Sequence, residues 1–191
     1  MRIARWLHDG RIHEGVVAGS RVIPFPDGVT VASLYLPNGA TEGEKYHEKM
    51  RFMAEFATYL RATSQLAAAA GRGFVVCGDY NIAHTERDIK AWKANLKSKG
   101  FLPEERAWYG QQVDGGPMVD VLRMLYPDVD GPYSWWSWRG KAFDNDAGWR
   151  IDHHWATPDL AAKAVRGIVE RAPSYAERVS DHAPVIIDYE I

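Results

Sequence analysis

An uninterrupted apolar run, Gly73-Phe74-Val75-Val76-Cys77-Gly78, ends on a glycine and hands over to Asp79-Tyr80-Asn81. A run of this length with β-branched and aromatic content reads as a strand buried on both faces. Side chains alternate along a strand, so Asp79 and Asn81 point the same way as far as the extended conformation persists. A carboxylate and an amide then converge at the mouth of a buried strand. The alternative is an Asx-type turn that closes the strand. A calcium loop fits poorly, because Ala83 and His84 stand where the twelve-residue pattern needs a ligand and a glycine.

A strand buried on both faces needs a sizeable core around it. The 191 residues, 46% hydrophobic and 25% charged, fit one soluble globular domain over 1–191. The net charge of −2 leaves nucleic-acid binding to a local basic patch and not to global attraction. The one cysteine, Cys77, sits inside the apolar run as a small buried hydrophobe, and it permits neither a disulfide framework nor a cysteine-based zinc site. Met1 to Trp6 has no apolar core of a signal peptide, and no run of eighteen apolar residues occurs. The expectation is a cytoplasmic protein with no membrane partner.

The first 36 residues read as a meander of strands, with hairpin pairs Asp9-Gly10 and Asp27-Gly28 and strands Arg11 to Ala18, Arg21 to Phe25 and Val29 to Leu36. Tyr46, Met50, Met53, Phe56 or Ala57, and Leu60 recur at helical spacing. This predicts a long amphipathic helix from Glu44 to Ala70, stopped by Gly71. From Arg87 to Lys99 five basic residues stand against one acid. A solvated helix face explains such a run, and with Trp92 and Asn95 interleaved, so does a loop that grips a nucleic-acid backbone. Glu104 to Val113 and Met118 to Tyr126 read as short helices.

Two aromatic segments follow, Tyr133 to Arg139 and Gly148 to Trp155, both read as strands. Trp135, Trp138, Trp149 and Trp155 cannot all share one inward face, so some line a surface cleft. Thr157-Pro158-Asp159 signals a helix start with Thr157 as N-cap, and Val165 to Arg171 and Val185 to Tyr189 are further strands. Just before the last strand, Ser180-Asp181-His182-Ala183-Pro184 places an acid beside a histidine. Neighbours in an extended segment point apart, so His182 needs a carboxylate from elsewhere, and Asp152 is the natural candidate. Asp181 is then left for a metal. By the same rule the neighbours His153 and His154 do not form a zinc pair. Carboxylates, an amide and an imidazole suit attack of water on phosphorus assisted by a hard cation.

Gly78 to His84, Gly100 to Arg106, Gly148 to Asp152 and Ser180 to Pro184 resemble, in order and spacing, the successive signatures of exodeoxyribonuclease III and the related apurinic/apyrimidinic endonucleases of the endonuclease/exonuclease/phosphatase superfamily. The resemblance runs from about Val29 to the C-terminus. It implies a four-layered α/β/β/α sandwich of two mixed sheets and a nuclease that uses Mg2+ or Mn2+ on double-stranded DNA with abasic sites or 3′ ends. Asp79 would activate water, Asn81 would help hold the phosphate, and Asp181 would contribute to the metal site. His182, oriented by Asp152, and Tyr35 would stand at the scissile phosphate, with Asn38 nearby. Trp135, Trp149 and Ile151 would wall a pocket for the base-less sugar. The run holding Lys90, Lys93, Asn95 and Lys97 would grip the DNA, with Arg139 a further contact.

The family's Asn-x-Asn-Gly and Leu-Gln-Glu segments, the second of which carries a principal metal ligand, have no counterpart here. The expectation is therefore a sandwich incomplete at the N-terminus, with a weakened metal site and an open sheet edge through which copies associate. Two alternatives stay open: a weakly active or inactive DNA-binding protein, and a phosphoesterase of the same superfamily acting on something other than DNA.

Overall fold

The apolar run forms β5 (Gly73–Asp79), an interior strand of a four-stranded mixed sheet ordered β4-β5-β7-β6. The computed structural model describes residues 3–8, 11–18 and 21–24 through their backbone and residues 28–190 in full. β4 (Val29–Tyr35) runs parallel to β5, β7 (Asp152–Ala156) antiparallel to it, and the short β6 (Val119–Asp120) antiparallel to β7. Strand alternation divides the apolar side chains of β5 between two cores. Phe74 and Val76 pack with Met53 and Leu60 of α1 (Glu44–Ala69) and with Trp108 and Tyr109 of α2 (Pro103–Val113). Val75 packs on the opposite side, in a cluster that reaches Ile187 and Tyr189 of β9 (Val185–Tyr189). β9 pairs antiparallel with β8 (Ala164–Val169) as a separate small sheet. The result is a mixed α/β sandwich in which both faces of the larger sheet are covered.

α1 forms because one stripe of it can be buried. Lys49, Met53, Leu60, Ser64 and Ala67 face inward at helical spacing. Gly71 ends it at φ 64, while the N–H groups of Gly71 and Arg72 return to the carbonyls of Ala68 and Ala67. Among the described residues no helix is long and apolar enough to cross a membrane.

Several local expectations change. β1 (Ile3–His8), β2 (Arg11–Ala18) and β3 (Arg21–Pro24) form an antiparallel meander, but β4 leaves it for the other sheet. The pair Asp9-Gly10, Phe25 and Asp27 lie outside the described residues. The basic run is not a helix. Ile89 bridges to Trp149, and the Lys90 N–H donates to the Gly148 carbonyl, so the backbone is tied sideways and forms only short 3-10 turns. Tyr133 to Arg139 is not a strand either, because only Trp135 makes bridges, to Trp149 and to His182. The second aromatic segment becomes extended sheet only from Asp152 onward. Met118 to Tyr126 splits into β6 and the five-residue α3 (Val121–Leu125), with Asp120 capping the helix at the Arg123 N–H. Thr157 precedes α4 (Pro158–Ala161), but its hydroxyl accepts from the Phe74 N–H, tying the helix to β5 and not capping it.

Candidate active site

Three strand ends place three candidate side chains in one row. Tyr35 at the end of β4 lies opposite Asp79 at the end of β5, and Asp79 lies opposite Asp152 at the start of β7. Partners in register across a sheet present their side chains to the same face. The row therefore opens on one side, into a cleft of about 920 Å³ lined by Tyr35, Asp79, Asn81, Asp181 and His182 among others.

Beyond Asp79 the extended conformation stops. Asn81 adopts the left-handed φ of 49 that short polar side chains tolerate, and its N–H donates to Asp79 Oδ1 at 2.8 Å. Its Nδ2 donates to Asp79 Oδ2 at 3.0 Å and to the Leu36 carbonyl at 2.9 Å. The two residues thus converge through an Asx turn and not through strand alternation: the backbone N–H and one side-chain N–H of Asn81 aim the Asp79 carboxylate, and the other side-chain N–H anchors Asn81 to Leu36.

His182 joins the row from the segment before β9. Its Nδ1 lies 2.9 Å from Asp152 Oδ2, which also accepts from Ser134 Oγ at 2.7 Å. With the carboxylate at Nδ1, that nitrogen carries a proton, and Nε2 is the atom available to the cleft. Ser134 is a site residue that the sequence reading did not single out. Its hydroxyl also accepts from the N–H groups of Ile151 and Asp152, so it fixes the acid that fixes the histidine. No spacing pattern marks it within an aromatic stretch.

Electrostatics follow from this crowding. Burial pushes the Asp79 carboxyl up to about 6; the Asn81 N–H opposes the rise, the charge of Asp152 adds to it, and His182 and Lys49 counter it. For His182 burial acts downward, but the hydrogen bond and charge of Asp152, joined by Asp79 and Asp181, prevail and raise its pKa.

Asp181 accepts from Trp135 Nε1 at 3.0 Å through Oδ2, while Oδ1 has no hydrogen-bond partner among the described residues. Trp135 and Trp149 meet edge to face at 6.2 Å, and with Ile151 they wall one end of the cleft. A hard divalent cation suits a carboxylate oxygen of this kind. Among the described residues no group of three or more acidic, histidine or cysteine side chains is arranged to hold a metal. The donor chemistry therefore fits Mg2+ only as a shell of one carboxylate completed by water and phosphate oxygens, which is common for that ion.

The remaining sequence candidates divide. Asn38, Asn95 and Lys97 line the cleft, together with Lys99 and Gly100. Asn95 is half engaged in its own loop, donating to the Ala91 carbonyl and accepting from Ser98 Oγ. Lys90, Lys93 and Arg139 are exposed but do not line the cleft, and Lys93 lies over the Trp92 ring instead. Lys99 closes the basic run, and Gly100 opens the segment that follows it. Gly100 sits at φ 83, where an added Cβ would stand 2.9 Å from the Asn81 carbonyl oxygen.

A family model described as the endonuclease/exonuclease/phosphatase family matches residues 4–182. An exodeoxyribonuclease of Bacillus subtilis is 34% identical over 160 residues, 83% of this chain and 59% of that protein. The DNA repair nuclease APEX1 of Danio rerio is 31% identical over 163 residues, 85% of this chain and 49% of its own. The chain thus spans about half to three-fifths of these relatives. Among solved structures, an AP endonuclease from Archaeoglobus fulgidus superposes with a TM-score of 0.77 at 28% identity, covering 94% of this chain and 65% of that one. The 3′ phosphatase NExo from Neisseria, bound to product DNA hairpin, gives 0.78 at 26% identity, covering 99% and 70%.

Proposed function

The chain belongs to the endonuclease/exonuclease/phosphatase family, and from that membership we propose that it is a cytoplasmic, Mg2+- or Mn2+-dependent phosphodiesterase of the exodeoxyribonuclease III type, acting on duplex DNA at abasic sites and 3′ ends. The observation that carries the reading is the single cleft lined by Asp79, Asp181 and His182, the last held from behind by Asp152, beside an aromatic wall and a lysine rim. Asp79, kept aimed by Asn81, accepts the proton of a water that attacks phosphorus. Protonated His182 donates from Nε2 to a phosphoryl oxygen and offsets the charge that grows in the transition state, with Tyr35 and Asn38 as further phosphate contacts. A cation held by Asp181 would supply charge neutralisation at the phosphate. Lys97 and Lys99 meet the DNA backbone.

Incubating the chain with a duplex that bears one abasic site, with Mg2+ and with a chelator, tests this. Nicking at the site that disappears on chelation is expected. Binding without cutting would make the chain a DNA-binding protein, and activity confined to small phosphate esters would overturn the DNA assignment. Self-association belongs to the same reading, since β4 has no strand along its outer edge among the described residues.

The pH profile of kcat/KM follows from the two shifted groups. Asp79 must be ionised to accept a proton, so activity falls as pH drops through about 6. His182 must be protonated, so activity falls again as pH rises past its pKa, which lies above the ordinary 6.5. A bell with an acid limb near the usual carboxylate value, about 4, would refute the role given to Asp79.

Recognition separates in the same way. An apolar pocket walled by Trp135, Trp149 and Ile151 admits a flipped sugar without its base and excludes an intact nucleotide by size. Trp149→Ala is expected to erode the preference for abasic over intact duplex more than it weakens binding to intact duplex. Lys97→Ala is expected to weaken both equally and to lower the salt slope of binding by about one. Equal losses on both duplexes in the Trp149 variant would remove the pocket assignment.

A further inference from the structure

Lys49 is the one fully buried lysine among the described residues, and it lies directly beneath the cleft. It projects from the second turn of α1, and its Nζ lies 2.6 Å from Glu105 Oε1 of α2. Glu105 in turn accepts from the Leu102 N–H through Oε2 at 3.0 Å. The remaining donors of Lys49 go to backbone carbonyls of the two cleft loops: Asn81 at 3.0 Å and Asn38 at 3.4 Å. Neither carbonyl belongs to a helix or strand that would otherwise hold it. Gly39 makes the approach possible, since a Cβ there would stand 2.6 Å from Lys49 Cδ.

A buried ion pair is weak evidence for stability, because desolvation offsets most of the attraction. An apolar side chain at this point of the α1 stripe would serve the core as well. What an apolar side chain cannot do is donate to both carbonyls. We infer that Lys49 is a positioning residue: it ties the Asn38 loop to the Asn81 turn and so fixes where the phosphate contact and the water-activating carboxylate stand relative to one another. This rests on the nuclease reading for its effect on rate, but its effect on the loops stands apart from it. Asn81 is in a left-handed conformation whose only ties outside the Asp79 turn, among the described residues, are Lys49 and the Leu36 carbonyl. Without Lys49 the turn keeps only the Leu36 carbonyl and its Asp79 bonds, and the Asn81 carbonyl loses its tie to the Asn38 loop.

The test uses the full chain and two variants, Lys49→Met and Lys49→Met with Glu105→Gln. The single variant leaves Glu105 charged and buried. The double variant is neutral, keeps an acceptor for the Leu102 N–H, and separates loop positioning from a failure to fold. In the double variant the Asn81 amide is expected to exchange with solvent about tenfold faster or more while the β5 and β7 amides keep their protection. On an abasic duplex kcat is expected to drop about tenfold or more with KM little changed, as for misplacement of reacting groups. Unchanged exchange at Asn81, or a double variant that regains wild-type kcat, would overturn the inference. If the wild-type chain does not cut DNA at all, the nuclease reading fails, and the exchange measurement alone decides for or against Lys49.

Discussion

Asp79→Asn and His182→Ala are each expected to lower the single-turnover rate on an abasic duplex at least about a hundredfold, the loss that follows when a general base or a transition-state contact is removed. The asparagine keeps the shape of the carboxylate and one acceptor for the Asn81 N–H, so the turn survives while proton uptake does not. The alanine removes the only imidazole in the cleft lining among the described residues and leaves Asp152 with Ser134 as its side-chain partner there. Neither side chain supplies the lysine rim, so duplex affinity should stay within a few-fold. Rate and affinity measured on the same preparations separate the two properties. Near wild-type turnover in either variant means that the assigned role is wrong.

Arg150→Met is expected to destabilise the chain by about 3–5 kcal/mol, the cost of stripping the partner from buried carboxylates. Arg150 is fully buried, with Nε 2.7 Å from Asp88 and a two-pronged contact to Asp120 at 3.0 and 2.7 Å. Burial alone would raise the pKa of both acids, but the guanidinium overrides it, taking Asp120 down to about 2 and Asp88 lower still. Both folded pKa values lie below the unfolded 3.8. Their contribution is therefore present above that pH and is lost as pH falls through the depressed range. At about 2–4 °C per kcal/mol for a chain of this size, the melting temperature should drop by about 6–20 °C at neutral pH. Arg150→Lys keeps the charge without the fork and should fall between. A shift of about 3 °C or less in the methionine variant would show that the carboxylates find other partners.

The arginine network also shows where sequence reading stops. Arg150 stands inside Gly148 to Asp152, and its partners come from positions 62 and 30 residues away. Periodicity cannot anticipate such a meeting. β5, α1 and β9 were legible because local pattern and tertiary burial agree in them. The basic run and Tyr133 to Arg139 were not, because cross-chain bridges at Ile89 and Trp135 outweigh local preference. Asp79, Asn81 and His182 stood out through the family signatures they sit in, because an Asx turn or a satisfied pair at a strand start explains such short polar groups equally well from local pattern alone. Ser134 and Lys49 did not, since a lone serine among tryptophans and a lysine in a helix are ordinary in sequence and become informative only when their partners are known.

The indole of Trp135 forms part of the pocket wall and also donates to the carboxylate of Asp181. Its backbone bridges Trp149 on one side and His182 on the other. Trp149 has no such bond from its indole nitrogen among the described residues. Mutational change in what the pocket accepts is therefore unequally open at the two tryptophans. A substitution at Trp149 reshapes the wall without removing a bond to the acid, whereas replacing Trp135 by a side chain without a donor also removes the indole bond to Asp181. On the proposed reading, a change in what the pocket admits is therefore expected to come more readily from position 149 than from position 135, whose indole is tied to Asp181.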